Sequence, residues 1–166
     1  MNSTPEGMRR RDREILERSE LDQLLHAAPV CRLAMARENE PYLVPLSFGY
    51  DGERLFFHTA LTGLKLDFLA INPRVCFEVE EEPRLLEHPE RACAFCFAYA
   101  SVIGRGRVVE LVDESQRLQG LNEIMRHYTG RADWPYAAAV LARTRVWAVE
   151  IESLSGKRGP DKQEEE

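Results

Sequence analysis

Apolar and polar residues alternate with period two over several short stretches of the chain. Cys31, Leu33 and Met35 alternate with Arg32, Ala34 and Ala36, which predicts a strand over Cys31–Arg37. Tyr42 to Tyr50 forms a second alternating run, closed by Asp51-Gly52, a strong hairpin signal. Arg54–Ala60, Arg74–Glu80 and Thr144–Glu152 read as further strands. Ala94–Val112 is a long β segment with a bend or bulge expected at Gly104-Arg105-Gly106. Between the strands the period changes to that of a helix. Leu21, Leu24, Leu25 and Ala28 make one apolar face that ends at Pro29, behind a capping-box pattern Ser19-Glu20-Leu21-Asp22. Leu64, Phe68 and Ile71 share a side of a short helix stopped by Asn72-Pro73. Asp113-Glu114-Ser115-Gln116 caps a helix carrying Leu118, Leu121, Met125 and Tyr128, which Gly130 ends. Trp134–Leu141 reads as one more short helix, and Glu81–Arg91, charged and with two prolines, as a loop. Strands joined mainly by hairpins, with few helices, predict an antiparallel barrel or sandwich with helical additions rather than a parallel α/β sheet.

The length of 166 residues fits one domain. Residues 1–18 read as a polar lead-in, 19–156 as the domain, and 157–166 as a frayed acidic tail. A content of 44% hydrophobic and 30% charged residues is that of an ordinary soluble protein. The net charge of -6 argues against a general nucleic-acid binder, which needs a basic face. No apolar run approaches a membrane span. Met1–Glu14 lacks the apolar core of a secretory signal, so a cytoplasmic location is expected. Cys93-Ala94-Phe95-Cys96 matches C-x-x-C, but no second ligand pair accompanies it. In a strand these two thiols would point to opposite faces. A structural role without metal is expected.

The candidate chemistry sits where the third strand ends. His58, Thr59, Thr62, Gly63 and Lys65 bring an imidazole, two hydroxyls, open backbone and an ammonium to one strand-to-helix junction. Such a set can hold a phosphate; it also fits a plain hairpin, loop and helix with a solvated lysine. The second strand is asymmetric. Its even face, Tyr42, Val44, Leu46, Phe48 and Tyr50, is large and apolar. Its odd face, Leu43, Pro45, Ser47 and Gly49, narrows to a shelf against which a flat ring could lie. Pro45 within the run implies an edge or an interrupted ladder, with main-chain groups free for a ligand. A solvated edge strand gives the same pattern. No G-x-G-x-x-G, Walker or G-x-S-x-G motif occurs.

Taken in order, Cys31-Arg-Leu-Ala34, Pro41 to Tyr50, Leu55-Phe-Phe-His-Thr-Ala60, Gly63-Leu-Lys65, Asn72-Pro-Arg-Val-Cys-Phe-Glu78, Tyr99-Ala-Ser-Val-Ile-Gly104 and Ser155-Gly-Lys157 carry a resemblance. The chain resembles the flavin-binding split-barrel proteins of the pyridoxamine-phosphate-oxidase-like superfamily, above all the 5-nitroimidazole-resistance branch. The resemblance implies a six-stranded antiparallel split barrel with peripheral helices, forming a homodimer with FMN at the interface. It implies that Lys65, Thr59 and Gly63 meet the phosphate. Pro45, Leu46, Ser47 and Phe48 would line the ring, and His58, Thr59 and Ala60 would follow the ribityl chain. Tyr99, Ser101, Val102 and Trp147 would complete the pocket. His58 is the candidate for proton donation beside the flavin. Two functions are compatible: an FMN-dependent oxidoreductase taking electrons from NADH or NADPH to a small nitroaromatic-like acceptor, or a flavin- or haem-binding protein acting in storage or sensing. Oxidation of pyridoxamine phosphate itself is disfavoured, since Trp147–Arg158 offers only Lys157 and Arg158 for a second phosphate.

Overall fold

The computed structural model describes residues 9–160. Its main sheet is antiparallel throughout and contains β1 (Glu14–Ile15), β2 (Cys31–Arg37), β3 (Glu40–Leu46), β4 (Gly49–Tyr50), β5 (Arg54–Thr59), β6 (Arg74–Glu80), then, after a small separate ribbon of β7 (Arg84–Leu86) and β8 (Cys96–Ala98), β9 (Ala100–Leu111) and β10 (Arg145–Arg158). The helices are α1 (Arg18–Ala27), α2 (Leu64–Ile71), α3 (Glu114–Thr129) and α4 (Ala138–Leu141). The strand order is β3-β2-β6-β9-β10-β5-β4, with β1 on β10. The two ends of this order, β3 and β4, are neighbours in sequence. The sheet therefore curls round and is closed by the chain itself at Ser47 and Phe48 instead of by a hydrogen-bonded ladder. That is a split barrel. Its long strands are β2, β3, β5, β6, β9 and β10; β1 and β4 have only two residues each.

The period-two pattern explains why the barrel closes. Leu33 and Met35 of β2, Leu55 and Phe57 of β5, Phe77 and Val79 of β6, Val102 of β9 and Val149 of β10 fill the interior. A second cluster lies outside, between the sheet and α3: Phe56, Leu111, Leu121, Ile124, Val146 and Ala148. Glycines permit both packings. A Cβ on Gly104 would stand 2.1 Å from the Phe77 ring, and one on Gly49 would stand 2.4 Å from the α3 backbone at Glu123.

Several expectations need correction. The capping box is not made: α1 starts at Arg18 behind Glu17, and Asp22 accepts instead from the Tyr50 hydroxyl (2.6 Å) and from Arg18 (2.8 Å). Asp113 stands at the N-cap of α3 without a side-chain bond to it. The run Tyr42–Tyr50 is two strands with different partners, β2 for β3 and β5 for β4. No bulge occurs at Gly104–Gly106; the register shifts across the ribbon, in β10, between Ile151 and Ser153. β10 runs on past Glu152 to Arg158, and Lys157 pairs with both Ser101 and Glu14. Lys157 and Arg158 thus belong to the sheet and not to a frayed tail, while residues 161–166 lie outside the described part, as do residues 1–8 of the lead-in. The Glu81–Arg91 loop contains β7. Cys93 sits in a 3-10 turn, Ala92–Ala94, rather than in a strand. In α2 the packed residues are Leu66, Phe68 and Leu69, whereas Leu64 and Ile71 are exposed. Trp134 stays outside α4, exposed beneath the Arg131 guanidinium. No helix among the described residues is long and apolar enough to cross a membrane.

Candidate functional site

The β4–β5 ladder ends at Gly49 opposite Phe56. Carried on, that register would set Ser47 opposite His58. Instead the chain turns away to join β3, because Leu46 pairs with Cys31 across on β2. The split therefore leaves β5 with an open edge from Phe57 onward, and the exposed Ser47 and Pro45 lie at the start of the diverging strand.

At the end of this edge the chain forms the turn 60–63 and enters α2. Gly63 is the N-cap of α2 with φ 144°, a conformation suited to glycine. None of the backbone N–H groups of Leu61, Thr62 and Gly63 meets an acceptor among the described residues. The first N–H groups of α2, at Leu64 and Lys65, are open as at any helix start. Lys65 is half-buried and forms no ion pair among the described residues, and loss of solvation lowers the pKa of its ammonium. His58, exposed on the outer face, lies close enough to be affected: partial loss of solvation first, and the Lys65 charge second, lower its pKa below the usual 6.5. Two basic groups share one corner, and neither makes an ion pair among the described residues; the exposed Asp67, in the first turn of α2, is not bonded to Lys65. Added to open N–H groups at a helix N-terminus, they make a place suited to an anion with several oxygens.

The other candidate residues divide into two groups. One supports the corner from inside. Leu46 and Phe48 are buried in the barrel core. The Phe48 ring packs on His127 at 4.4 Å, and its N–H donates to the Tyr128 hydroxyl (3.1 Å). The N–H of Phe48 is thus not free for a ligand, contrary to expectation. Thr59 and Trp147 are also buried, at 9% and 8% exposure. The Trp147 indole N–H donates to the Thr59 hydroxyl (3.0 Å), which donates to the Ala60 carbonyl (2.8 Å). Trp147 stacks on Phe57 and lies beneath the Arg145 guanidinium. Neither side chain faces the corner, so a direct phosphate contact by the Thr59 hydroxyl and a ring contact by Trp147 are not what this geometry offers. Val102 is wholly buried in the core.

The last group lies far away. Along the β9–β10 ribbon, Leu111 pairs with Val146, which pairs with His58 on β5, whereas Ser101 pairs with Lys157 at the opposite end. Ten residues of strand separate the two ends, about 30 Å along the ribbon at ~3.3 Å per residue. Tyr99, whose carbonyl accepts from the Gly159 N–H (2.7 Å), stands beside Ser101. Within one chain these residues do not join the corner.

Sequence reasoning missed Tyr128 and His127. Tyr128 bridges the Phe48 N–H and the Pro29 carbonyl (2.9 Å), pinning the strand switch to α3. His127 bonds the Ala28 carbonyl through Nε2 (2.8 Å), while Nδ1 is buried without a partner among the described residues. Only a His-Tyr pair at the end of an amphipathic helix signalled them. A cleft of about 440 Å³ lies elsewhere. It is lined by Leu24, Ala28, Val30 and Pro83 with Arg32 and Glu80–Glu82, and offers no histidine, cysteine or methionine.

A model of the pyridoxamine 5'-phosphate oxidase family matches residues 17–158. The chain belongs to that family. A candidate 5-nitroimidazole antibiotic resistance protein from Bacteroides thetaiotaomicron VPI-5482 is similar in structure, with 27% identity, a TM-score of 0.77, and coverage of 87% of this chain and 85% of that one. A FAD-binding protein from Mesorhizobium loti shares 28% identity with a TM-score of 0.63, over 87% and 96% of the two chains. An uncharacterized protein of Rhizobium meliloti (strain 1021) is 31% identical over 67 residues, which spans 40% of this chain and 44% of that protein. The split barrel of this family is the fold that the strand order shows.

Proposed function

We propose that the chain is an FMN-binding flavoprotein of the nitroimidazole-resistance type, reducing a small nitroaromatic-like acceptor with electrons from NADH or NADPH. The observation that carries the reading is the half-buried Lys65, beside His58 and the open N-terminus of α2, with no counter-ion among the described residues. A half-buried ammonium left unbalanced costs stability, and a dianionic phosphate offsets that cost. The FAD-binding relative supports a flavin as the phosphate's owner; FAD brings the same kind of oxygens and is tested beside FMN.

The residues fit the group in a definite way. Lys65 and the N–H groups of 61–63 would hold the phosphate. Ala60 and His58 would run along the ribityl chain, and the exposed shelf of Pro45 and Ser47 would receive the ring. A bound flavin supplies the electron-carrying chemistry. The chain's part is to orient it, to exclude water from one face and, at His58, to donate a proton: the lowered pKa leaves the free imidazole mainly neutral near pH 7, and a bound phosphate dianion would favour the imidazolium that donates. Tyr99 and Ser101 reach such a site only from a second copy, which supports a homodimer with two sites at its interface.

The test is a visible spectrum of the purified protein, repeated with added FMN or FAD and then with NADH or NADPH under nitrogen. Bound flavin bands that bleach with the nicotinamide are expected. Bands that persist unbleached favour a flavin protein for storage or sensing, a Soret band favours haem, and no bound flavin refutes the cofactor assignment.

A further inference from the structure

We infer that Trp147 is a positioning residue for the cofactor phosphate, acting through Thr59 on the backbone of the 60–63 turn; this rests on the flavin reading above. Trp147 is too deeply buried to touch a ligand at the corner, yet its indole N–H starts a chain of two hydrogen bonds that ends there. The Thr59 hydroxyl has one proton. By accepting from Trp147 (3.0 Å) it is left to donate that proton to the Ala60 carbonyl (2.8 Å). The order of the chain is thus fixed in one direction, since an indole can only donate.

The consequence follows from the planarity of the next peptide. All peptide bonds among the described residues are trans, so the Ala60 carbonyl and the Leu61 N–H point to opposite sides of one plane. Holding the carbonyl against the buried Thr59 hydroxyl turns the Leu61 N–H away from the core. That N–H opens the run of three without acceptors, 61–63, which leads into α2 and Lys65. Without the hydroxyl, the 60–61 peptide can rotate and offer its carbonyl, a repulsive group, to an anion.

Trp147 itself is held firmly. It stacks on Phe57 with an interplanar angle of 12°, and the Arg145 guanidinium, fixed by Glu110 at 2.7 Å, lies 4.6 Å from its ring centre. The ring thus has little freedom to swing, and the indole N–H keeps its aim. This gives Trp147 and Thr59 a different part from the one expected of them: they set the orientation of donors rather than being donors themselves.

Riboflavin separates positioning from mere structural support, because it shares the ring and ribityl chain of FMN and lacks the phosphate. Dissociation constants for FMN and riboflavin would be measured by fluorescence quenching on the full chain and on Thr59→Val, Thr59→Ser and Trp147→Phe. Thr59→Val should weaken FMN about five- to tenfold, the size of one mis-set hydrogen bond, and change riboflavin less than twofold. Thr59→Ser should restore FMN binding. Trp147→Phe, which keeps an aromatic ring, though a smaller one, and removes the indole N–H, should show the same FMN-selective loss, two- to fivefold at about half the effect. FMN affinity unchanged in Thr59→Val, or FMN and riboflavin weakened equally, would overturn the inference; loss in Thr59→Val alone would remove Trp147 from it. A wild-type protein that binds riboflavin as tightly as FMN would instead overturn the phosphate assignment on which the inference stands.

Discussion

The β4–β5 hairpin has two ends, and they differ in how their charges are settled. At the turn, Tyr50 donates to Asp22 (2.6 Å) and accepts from Arg18 (2.8 Å), Arg18 also donates to the Gly52 carbonyl, and Asp51 binds the backbone and guanidinium of Arg54. Burial alone would raise the pKa of Asp22, but the bonds from Tyr50 and Arg18 outweigh it and leave the carboxyl below its usual range. At the other end Lys65 and His58 have no anionic partner among the described residues, and both pKa values are lowered by desolvation. The same hairpin thus carries a satisfied network that clamps α1 to the sheet and an unsatisfied pair that waits for an anion. Paired charges describe how the fold is held; unpaired half-buried ones point to where something binds.

The largest effect should come from the unpaired end. Lys65→Ala should weaken FMN by about 1.5–3 kcal/mol, roughly ten- to a hundredfold, as for the loss of a charge-assisted hydrogen bond. It should leave the melting temperature of the free protein unchanged or raised, since a desolvated ammonium is removed. Flavin titration and a thermal melt of the same variant check both halves. Retained affinity would show that the corner is only a surface.

The paired end should behave in the opposite way. Tyr50→Phe removes a nearly buried hydroxyl bonded to a carboxylate and a guanidinium. A loss of about 1–3 kcal/mol in urea unfolding is expected, with flavin affinity unchanged. If Tyr50→Phe weakened flavin as much as Lys65→Ala, the contrast between the two ends would fail.

The contrast also tells what a sequence can disclose. The limits of β2, α2 and β6 follow from local pattern and from Asn72-Pro73, so they were readable. The inward and outward faces of Tyr42–Phe48 were readable for the same reason, whereas Gly49, read as part of the open shelf, is buried against the α3 backbone. What local pattern could not show was that this run serves two partners, since the switch at Ser47 depends on which strand each half meets in space. Thr59 and Trp147 illustrate the same gap in the site. Their residue types suit a ligand, but the register Arg145–Thr59 and Trp147–Phe57 turns both side chains into the barrel. His58, one residue away, faces outward by the period of two alone. The capping box failed because Asp22 found a better partner 28 residues away.

A smaller effect separates the ends by pH. His58 has a lowered pKa in the folded protein, so just below pH 6.5 the unfolded chain takes up a proton that the folded one refuses. Its contribution to stability is therefore full above 6.5 and is lost as pH falls from there towards the lowered value. Asp22 acts in a lower window: its stabilisation holds above about 3.8 and is lost as pH falls through its depressed pKa. His58→Gln should flatten the upper window and leave the lower one, in thermal melts from pH 3 to 8. His127, also lowered, remains in both proteins as a common background. With FMN bound, the phosphate should favour the imidazolium, so wild type should gain affinity over His58→Gln as pH falls. The titration of the phosphate itself is shared by both and cancels in the ratio.

The smallest effect comes from the far end of the ribbon. Ser101 is half-buried in β9 between Glu80 and Lys157, about 30 Å along the strands from the corner. In a single chain it has no route to a ligand held by Lys65, and Ser101→Ala should then leave FMN affinity unchanged. In a homodimer with the site at the interface, the hydroxyl arrives from the other copy, and its loss should weaken FMN by about 0.5–1.5 kcal/mol. The two arrangements separate further when Lys65→Ala and Ser101→Ala chains are mixed and allowed to exchange. If each site takes Lys65 from one copy and Ser101 from the other, the mixed dimer holds one site with both residues and one with neither. Half the flavin sites of the mixed dimers, roughly a quarter of all sites when equal amounts pair at random, should then recover wild-type affinity. Recovery requires the second copy, because no rearrangement within one barrel brings the two ends of the β9–β10 ribbon together.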